Sequence, residues 1–196
     1  MILPRHSLDL LSSAQLVDAS PARHHELAGM ADLARQSISA VKIGNDVVER
    51  VYRHQAPSIF PFRVRGRIRG GIAFLYLNQD GLEHVLLDTF DFADPDLALL
   101  AGRNEGPAAL YVWALAARGR AAAGIADVAV RMMRGAFAVA DYYAQPATAD
   151  GARLLRQVGF ERTPSFQPDL WIYRRLANRA GGAVVGDPAL AGGGPS

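Results

Sequence analysis

Residues Ala109–Arg134 read ALYVWALAARGRAAAGIADVAVRMMR, an apolar run followed by a basic turn and an alanine-rich segment. The run Ala109–Ala117 includes a tyrosine, a valine and a tryptophan, and a continuous apolar run suits a strand buried on both faces. From about Ala122 to Met133 the residues are good helix formers with apolar side chains at helical spacing. This order predicts a buried strand, a turn at Arg118–Arg120 and a helix.

The basic turn carries the strongest chemical signal in the chain. The first N–H groups of a helix have no partner within the helix, and they lie at the positive end of its dipole. Together with Arg118 and Arg120 they predict a phosphate site. The alternative is a purely structural turn, because strand–glycine–helix connections are common in α/β proteins.

A second segment, Thr148–Phe160, reads TADGARLLRQVGF. It predicts a short helix that ends at Gly159, with a new strand starting at Phe160. The order of strand, Arg-Gly-Arg turn, helix, strand, short helix and Gly-Phe resembles the GNAT superfamily of acyl-CoA-dependent N-acyltransferases, most strongly over Leu110–Tyr173. The resemblance implies the fold class α/β (α+β): a mixed, mostly antiparallel sheet with a splayed parallel central pair, flanked by helices.

The resemblance also implies a co-substrate, acetyl-CoA or another acyl-CoA, with its pyrophosphate at the basic turn. Arg118 matches the first position of the family's pyrophosphate loop and Ala123 the last, but Ala121 stands where the family has its middle glycine. Gly124 takes over that role if the loop is longer by one turn. The expected cofactor-binding residues are consecutive: Leu115, Ala116, Ala117, Arg118, Gly119, Arg120, Ala121, Ala122, Ala123 and Gly124.

A proton donor for the departing thiolate is a tyrosine in many members of this family. Leu155 occupies that position here and cannot donate a proton. Tyr142 and Tyr143, at the end of a strand expected over Phe137–Tyr143, are the candidate replacements. The alternatives are a reaction without an acid and a catalytically degenerate domain.

The rest of the chain predicts the elements around this centre. A strand near Gln15–Asp18 precedes helices over Ser20–Ser39 and Gly44–Gln55, which in this family border the acceptor site. Two strands follow within Ser58–Asn78. The turn Asn78–Gly81 then predicts a hairpin with a returning strand over Leu82–Phe90. The final strand is expected over Leu170–Leu176.

Charged clusters give two further expectations. Asp88 and Asp91 are candidate binding residues for a cationic amine acceptor, whereas Asp94 or Asp96 caps a short helix. Arginines recur at every second position over Arg63–Arg69, so they share one face if the segment is a single strand, and Gly66 places a turn there if it is not. This segment is either a charged edge strand or a basic surface for a nucleotide 3′-phosphate or an acidic carrier protein.

Composition bounds the remaining possibilities. The 196 residues predict one domain over 1–176 and a disordered Gly/Ala/Pro-rich tail over 177–196. The chain lacks cysteine, which excludes thiolate chemistry, and its net charge of +2 gives no case for nucleic acid. No metal is expected. Apolar runs are too short to span a membrane and no signal peptide is evident, so a cytoplasmic protein is expected.

The function expected from these features is transfer of an acetyl or other acyl group from acyl-CoA to a primary amine of unknown identity. One alternative is a longer acyl chain delivered by acyl carrier protein. The other is a non-catalytic binding or regulatory module on the same fold. Exposed sheet edges also permit a homodimer.

Overall fold

The fold is that of a computed structural model, which describes residues 17–37, 43–117 and 119–175. Within these residues, seven strands form one sheet in the order β1-β2-β3-β4-β5-β7-β6. Their bounds are β1 Val17–Asp18, β2 Ile59–Val64, β3 Arg67–Leu77, β4 Ala109–Ala117, β5 Asp141–Ala144, β6 Glu161–Arg162 and β7 Trp171–Tyr173. Some predicted positions lie outside the described residues: Gln15, Ser39, Leu176 at the end of the expected final strand, and the tail over 177–196.

Strand pairing confirms the predicted sheet. β4 and β5 pair in parallel, and every other neighbouring pair is antiparallel. β4 occupies the centre of the sheet with the predicted bounds, Ala109–Ala117. The mixed, mostly antiparallel sheet with one parallel central pair is therefore the architecture of this chain.

Helices cover both faces of the sheet. Their bounds are α1 Leu27–Ser37, α2 Asn45–His54, α3 Gln79–Leu86, α4 Ala123–Arg131 and α5 Ala149–Gln157. Apolar side chains of α1, α2 and α3 pack on one face with Tyr111 and Trp113. Those of α4 pack on the other with Leu110 and Phe74. β4 is thus buried on both sides, as its continuous apolar run predicts.

The predicted hairpin at Asn78–Gly81 with a strand over Leu82–Phe90 is wrong, since this segment forms α3. The Asn78 side chain accepts a hydrogen bond from the Gly81 N–H at 2.9 Å and so caps the helix rather than shaping a turn. Gly81 permits close packing, because a Cβ there would lie 2.0 Å from the Leu99 carbonyl oxygen.

The strand predicted over Phe137–Tyr143 is also longer than the one observed. Residues Gly135–Ala138 form a 3-10 turn, and β5 begins only at Asp141. Gly135, the first residue of this turn, has φ +60°, a backbone conformation that glycine adopts without strain. Phe137 packs its ring against Tyr76, with centroids 4.9 Å apart.

The first helix starts later than Ser20. Residues 20–23 are irregular, and a 3-10 turn at His24–Glu26 leads into α1. This irregular segment surrounds Arg63, whose Nη1 donates to the Ser20 carbonyl at 3.2 Å and to the Ser20 hydroxyl at 3.0 Å. Arg63 therefore does not share an arginine face with Arg65 and Arg67; a turn at Arg65–Gly66 separates them, as the second interpretation predicts.

Arg63 and Glu26 form a buried, bidentate ion pair. The Nε and Nη2 atoms of Arg63 donate to the two carboxylate oxygens of Glu26 at 2.8 and 2.5 Å. Both side chains are at most 10% exposed. These hydrogen bonds hold the pKa of Glu26 at about 2, against an ordinary 4.5. The pair joins β2 to the start of α1 and so fixes that helix over the sheet.

We predict that Glu26→Gln lowers the free energy of unfolding at pH 7 by about 3 kcal/mol, because Arg63 becomes a poorly paired buried charge. The wild type loses this contribution as the pH falls from 4.5 through 2, since the folded-state pKa is the lower one. The difference between the two proteins should therefore shrink over that range in urea titrations. The exposed Glu83→Gln is the control; an equal effect of both variants would contradict the assignment.

Candidate functional site

The parallel pair β4–β5 separates partway along β4. Pairing runs from Ala109 with Asp141 to Val112 with Ala144 and ends there. On its other side β4 stays paired with β3 as far as Ala117. Within the described part of the chain, the edge of β4 that faces away from β3 therefore has no strand partner from Trp113 to Ala117. We call this opening the β4–β5 split.

A bulge in β4 coincides with the start of the split. Ala73 pairs with Ala114 and Phe74 with Val112, so Trp113 is an extra residue without its own partner on β3. A bulge changes which face the following side chains occupy. Consistent with this, Trp113 and Ala114 both pack toward the α1 face, while Leu115 and Ala117 pack toward α4.

The turn after β4 leads directly into a helix N-terminus. Gly119–Ala122 form a 3-10 turn that continues into α4, and Gly119 has φ +56°. Among the described residues, no side chain caps the N-terminus of α4 at Ala122, and its first turn contains no acidic residue. Arg120 is exposed beside it. Uncapped N–H groups at the positive end of a helix fit an anion, which is what the predicted phosphate site requires.

The structure explains the residues of this turn that depart from the family's glycine pattern. Ala121 is 1% exposed, within the hydrophobic core on the α4 face. A Cβ at Gly124 would lie 2.4 Å from Cδ1 of Phe62, so this glycine lets α4 pack on β2. Ala122 is exposed and Ala123 half-buried. Arg118 lies outside the described residues.

Exposed arginines of β3 lie near this turn. Gly70 pairs with Ala117, the last residue of β4, and Arg69 directly precedes Gly70. Arg67 and Arg69 are exposed, as is Arg65 in the β2–β3 turn. None of the three forms an ion pair with a residue that the structure describes. They extend the positive charge of Arg120 across the end of the sheet.

The two candidate tyrosines occupy opposite faces of β5. Tyr143 pairs with Tyr111, one residue before the last β4–β5 pair, and packs on the α1 face. Burial is the main cause that raises its pKa, and Asp141 adds to the effect. Its hydroxyl therefore stays protonated at neutral pH, as a proton donor must.

Tyr142 is placed differently. Its side chain packs on the α4 face, where its hydroxyl lies 2.5 Å from Nη2 of Arg175. The same nitrogen donates to the Met132 carbonyl at 3.0 Å, and the guanidinium carbon lies 4.5 Å from the centre of the Tyr142 ring. Burial raises the pKa of Tyr142, although Arg175 opposes this shift. Tyr142 thus serves to hold a buried arginine.

Asp88 and Asp91 lie in the loop after α3. Asp88 is exposed, with φ +59°. The Asp91 carboxylate accepts hydrogen bonds from the N–H groups of Ala93 and Asp94, at 2.8 and 3.2 Å, and so shapes its own loop. Asp94 pairs with Arg50, and Asp96 caps the 3-10 turn Leu97–Leu99 as predicted.

The same loop reaches the α1 side of the split. The Trp113 indole N–H donates to the Phe92 carbonyl at 2.9 Å, and the Phe92 ring stacks on Tyr111 with centroids 4.4 Å apart. Asp91 therefore lies next to a residue that contacts the bulge. This places the predicted acceptor loop beside the split, while the two carboxylates themselves make no contact with Tyr143 that the structure shows.

Two glutamines at the rim of the split have no signal in the sequence. Gln145 follows Ala144, the last residue of β5, and donates to the Pro168 carbonyl at 2.8 Å. The Gln167 side-chain amide donates to Oε1 of Gln145 at 3.4 Å, and its own amide oxygen, Oε1, is buried without a hydrogen-bond partner among the described residues. A neutral amide in a loop matches no motif, so only the structure brings these groups together.

Leu155 occupies a core position on the other side of β5. It is 7% exposed and packs with Ala144 and Trp171. A buried leucine here confirms that no hydroxyl is supplied from α5 at this position. Tyr143 is thus the candidate acid that lies nearest to the split along β5.

Among residues 17–37, 43–117 and 119–175, no group of three or more His, Asp or Glu side chains is arranged to hold a metal ion. Over the same residues, no helix has both the length and the apolar character needed to cross a membrane.

Comparison with known proteins finds similar solved structures but no matching family model and no matching curated protein. A structure described as histone acetyltransferase HPA2 and related acetyltransferase, from Corynebacterium glutamicum, has a TM-score of 0.49 and 12% identity, covering 82% of this chain and 96% of its own. An N-acetyltransferase from Staphylococcus aureus has a TM-score of 0.46 and 13% identity, covering 80% of this chain and 97% of its own. Both TM-scores lie below 0.5, so this likeness by itself assigns no substrate.

We predict that Tyr142→Phe lowers the free energy of unfolding by about 1.5–3 kcal/mol, the usual worth of a hydrogen bond to a charged group. The reason is that Arg175 loses its hydroxyl partner in a buried site. Urea unfolding of the two proteins measures the difference. Unchanged stability together with slower turnover would show instead that the hydroxyl serves the chemistry.

Proposed function

We propose that this protein is a GNAT-type N-acyltransferase, which moves an acyl group from acyl-CoA to a primary amine. The observation that carries the proposal is the β4–β5 split beside an uncapped helix N-terminus. An open strand edge offers backbone hydrogen bonds to an extended, amide-containing chain, and the helix N-terminus offers N–H donors to a phosphate. Acyl-CoA contains both groups, joined in one molecule.

The basic turn would hold the pyrophosphate of CoA. Its donors would be the N–H groups of Gly119–Ala122, with Arg118 and Arg120 supplying charge. The backbone over Leu115–Ala117 would border the pantetheine arm, and the buried Ala121 and Gly124 would support the turn from below. When bound, CoA supplies the activated thioester. The exposed arginines at 65, 67 and 69 would attract its 3′-phosphate.

The transfer needs an attacking amine, a thioester, a donor to the negative oxygen and an acid for the thiolate. A neutral amine nitrogen attacks the thioester carbon, so that an N–C bond forms and the C–S bond breaks. An N–H at the Trp113 bulge is suited to stabilise the negative oxygen, since a bulge residue is left outside the strand ladder. Tyr143 would donate a proton to the departing thiolate and regain one from water, and the amine's excess proton would pass to water.

The acceptor would approach from the α1 side. Asp88 and Asp91 in the adjoining loop would attract a cationic amine before it loses its proton. The buried side-chain amide oxygen of Gln167, at the rim of the split, would accept a hydrogen bond from one of the amine's N–H groups. We therefore propose a small primary amine as the acceptor.

We predict that the double variant Arg118→Ala/Arg120→Ala binds CoA about 10–100 times more weakly than the wild type, as expected for the loss of charged hydrogen bonds. Isothermal titration calorimetry with CoA and dephospho-CoA measures this. Arg131→Ala is the matched control, since Arg131 lies exposed at the opposite end of α4. Equal CoA affinity of the wild type and the double variant would remove the phosphate assignment.

We also predict that Tyr143→Phe lowers kcat about 100-fold with an amine found by screening, because the thiolate leaves without a proton donor. CoA affinity should not change. An unaltered kcat would show that no acid is used, or that solvent supplies the proton.

A second candidate donor, acyl carrier protein, is favoured by one observation. Arg65, Arg67 and Arg69 form an exposed basic surface at the end of the sheet, and carrier proteins are acidic. Charge reversal of these three arginines should abolish cross-linking to acylated carrier protein but leave binding of dephospho-CoA intact. Retained cross-linking would count against this donor. A failure of every donor to bind would favour a non-catalytic module.

A further inference from the structure

An apolar cleft opens on the α1 face of the sheet, next to the β4–β5 split. Its volume is about 40 Å³, and it lies between α1 and the strands β3 and β4. Every residue that lines it is apolar, including Met30, Leu33, Gly71, Ala73, Trp113 and Ala114. The cleft therefore offers no side chain that could pair with a charge.

Small residues keep the floor of the cleft open. Gly71, Ala73 and Ala114 are among the sheet residues that line it. Met30 reaches over this floor from α1; a Cβ at Gly71 would lie only 2.2 Å from its methyl carbon. Trp113 forms a wall, and its indole N–H is already bonded to the Phe92 carbonyl. The shape of the cleft is thus built by specific contacts.

The cleft begins where the parallel strands separate. Trp113 and Ala114 directly follow Val112, the last residue of β4 that pairs with β5. Because of the bulge, both side chains lie on the α1 face. A thioester held in the split would therefore have the cleft next to its acyl carbon.

An acyl chain suits this cleft better than an amine does. The amine must be solvated until it loses a proton, and burying it among apolar side chains without a hydrogen bond is costly. A hydrocarbon chain has no such requirement and gains by leaving water. A cavity of about 150 Å³ accepts a six-carbon ring, so a cleft of about 40 Å³ accepts about two carbon atoms, which is the number that a butyryl group adds to acetyl.

We propose that this cleft receives the alkyl end of the donor's acyl group and that the enzyme selects propionyl or butyryl groups over acetyl. The inference rests on the function proposed above and adds the class of acyl donor. Calorimetric titration of the full-length protein with CoA and with acetyl-, propionyl-, butyryl- and hexanoyl-CoA tests it. Affinity should rise about fourfold per added carbon as far as butyryl, and then level off or fall at hexanoyl.

Two variants should move this optimum in opposite directions. Ala114→Leu fills the cleft from the half-exposed floor and should give acetyl- and butyryl-CoA the same affinity. Met30→Ala enlarges the cleft and should move the optimum to hexanoyl-CoA. Ala129→Leu, on the exposed face of α4, is the control and should keep the wild-type order. CoA without an acyl group should bind all four proteins equally.

The outcomes separate the two proposals. Equal affinity of wild type for all acyl-CoAs, with CoA bound, overturns the acyl cleft and leaves the transferase standing. The same holds if Ala114→Leu keeps the butyryl preference. Absence of CoA binding overturns the acyl-CoA-dependent transferase, and the cleft assignment with it. If Met30→Ala does not fold, the comparison of Ala114→Leu with Ala129→Leu decides alone.

Discussion

The structure depends on an unequal pairing of its central strand. β4 is paired on both sides for only four residues, while β3 continues beside it for five more. Unpaired backbone groups inside a sheet are costly unless something else satisfies them. Here the sheet retains an open edge at its centre instead of at its border. In the proposed function this open edge takes an extended ligand that binds as a strand does, and a helix N-terminus follows the same strand.

The two faces of β4 serve different parts of the proposed function. On the α4 face, the basic turn and the exposed arginines suit the phosphates of a nucleotide, and Ala121 and Gly124 anchor the turn in the core. On the α1 face, the bulge at Trp113 opens onto an apolar cleft and a loop that carries carboxylates. This division depends on α1 being held in place, and the buried Arg63–Glu26 pair does so directly before the N-terminus of that helix. The contacts that stabilise the position of α1 therefore also determine the shape of the proposed substrate site.

The sequence predicted the parts of this arrangement that follow from local pattern. The continuous apolar run of β4, the helix after the basic turn and the cap at Asp96 are all observed with nearly the expected bounds. The segment after Asn78 was predicted wrongly because Asn and Asp-Gly signal a helix cap as well as a turn, and only packing against Leu99 decides between them. The bulge, the cleft and the Gln145–Gln167 pair depend on the register of distant strands and loops, which no local pattern contains.

Amide hydrogen exchange with and without CoA tests most directly whether the open edge of β4 is the ligand site. The account predicts that CoA slows exchange in peptides covering Trp113–Ala117 and Gly119–Gly124, with little effect on β1 or on the exposed face of α2. Protection confined to Arg65–Arg69, or spread evenly over the sheet, would contradict it, because the ligand would then bind elsewhere than in the β4–β5 split.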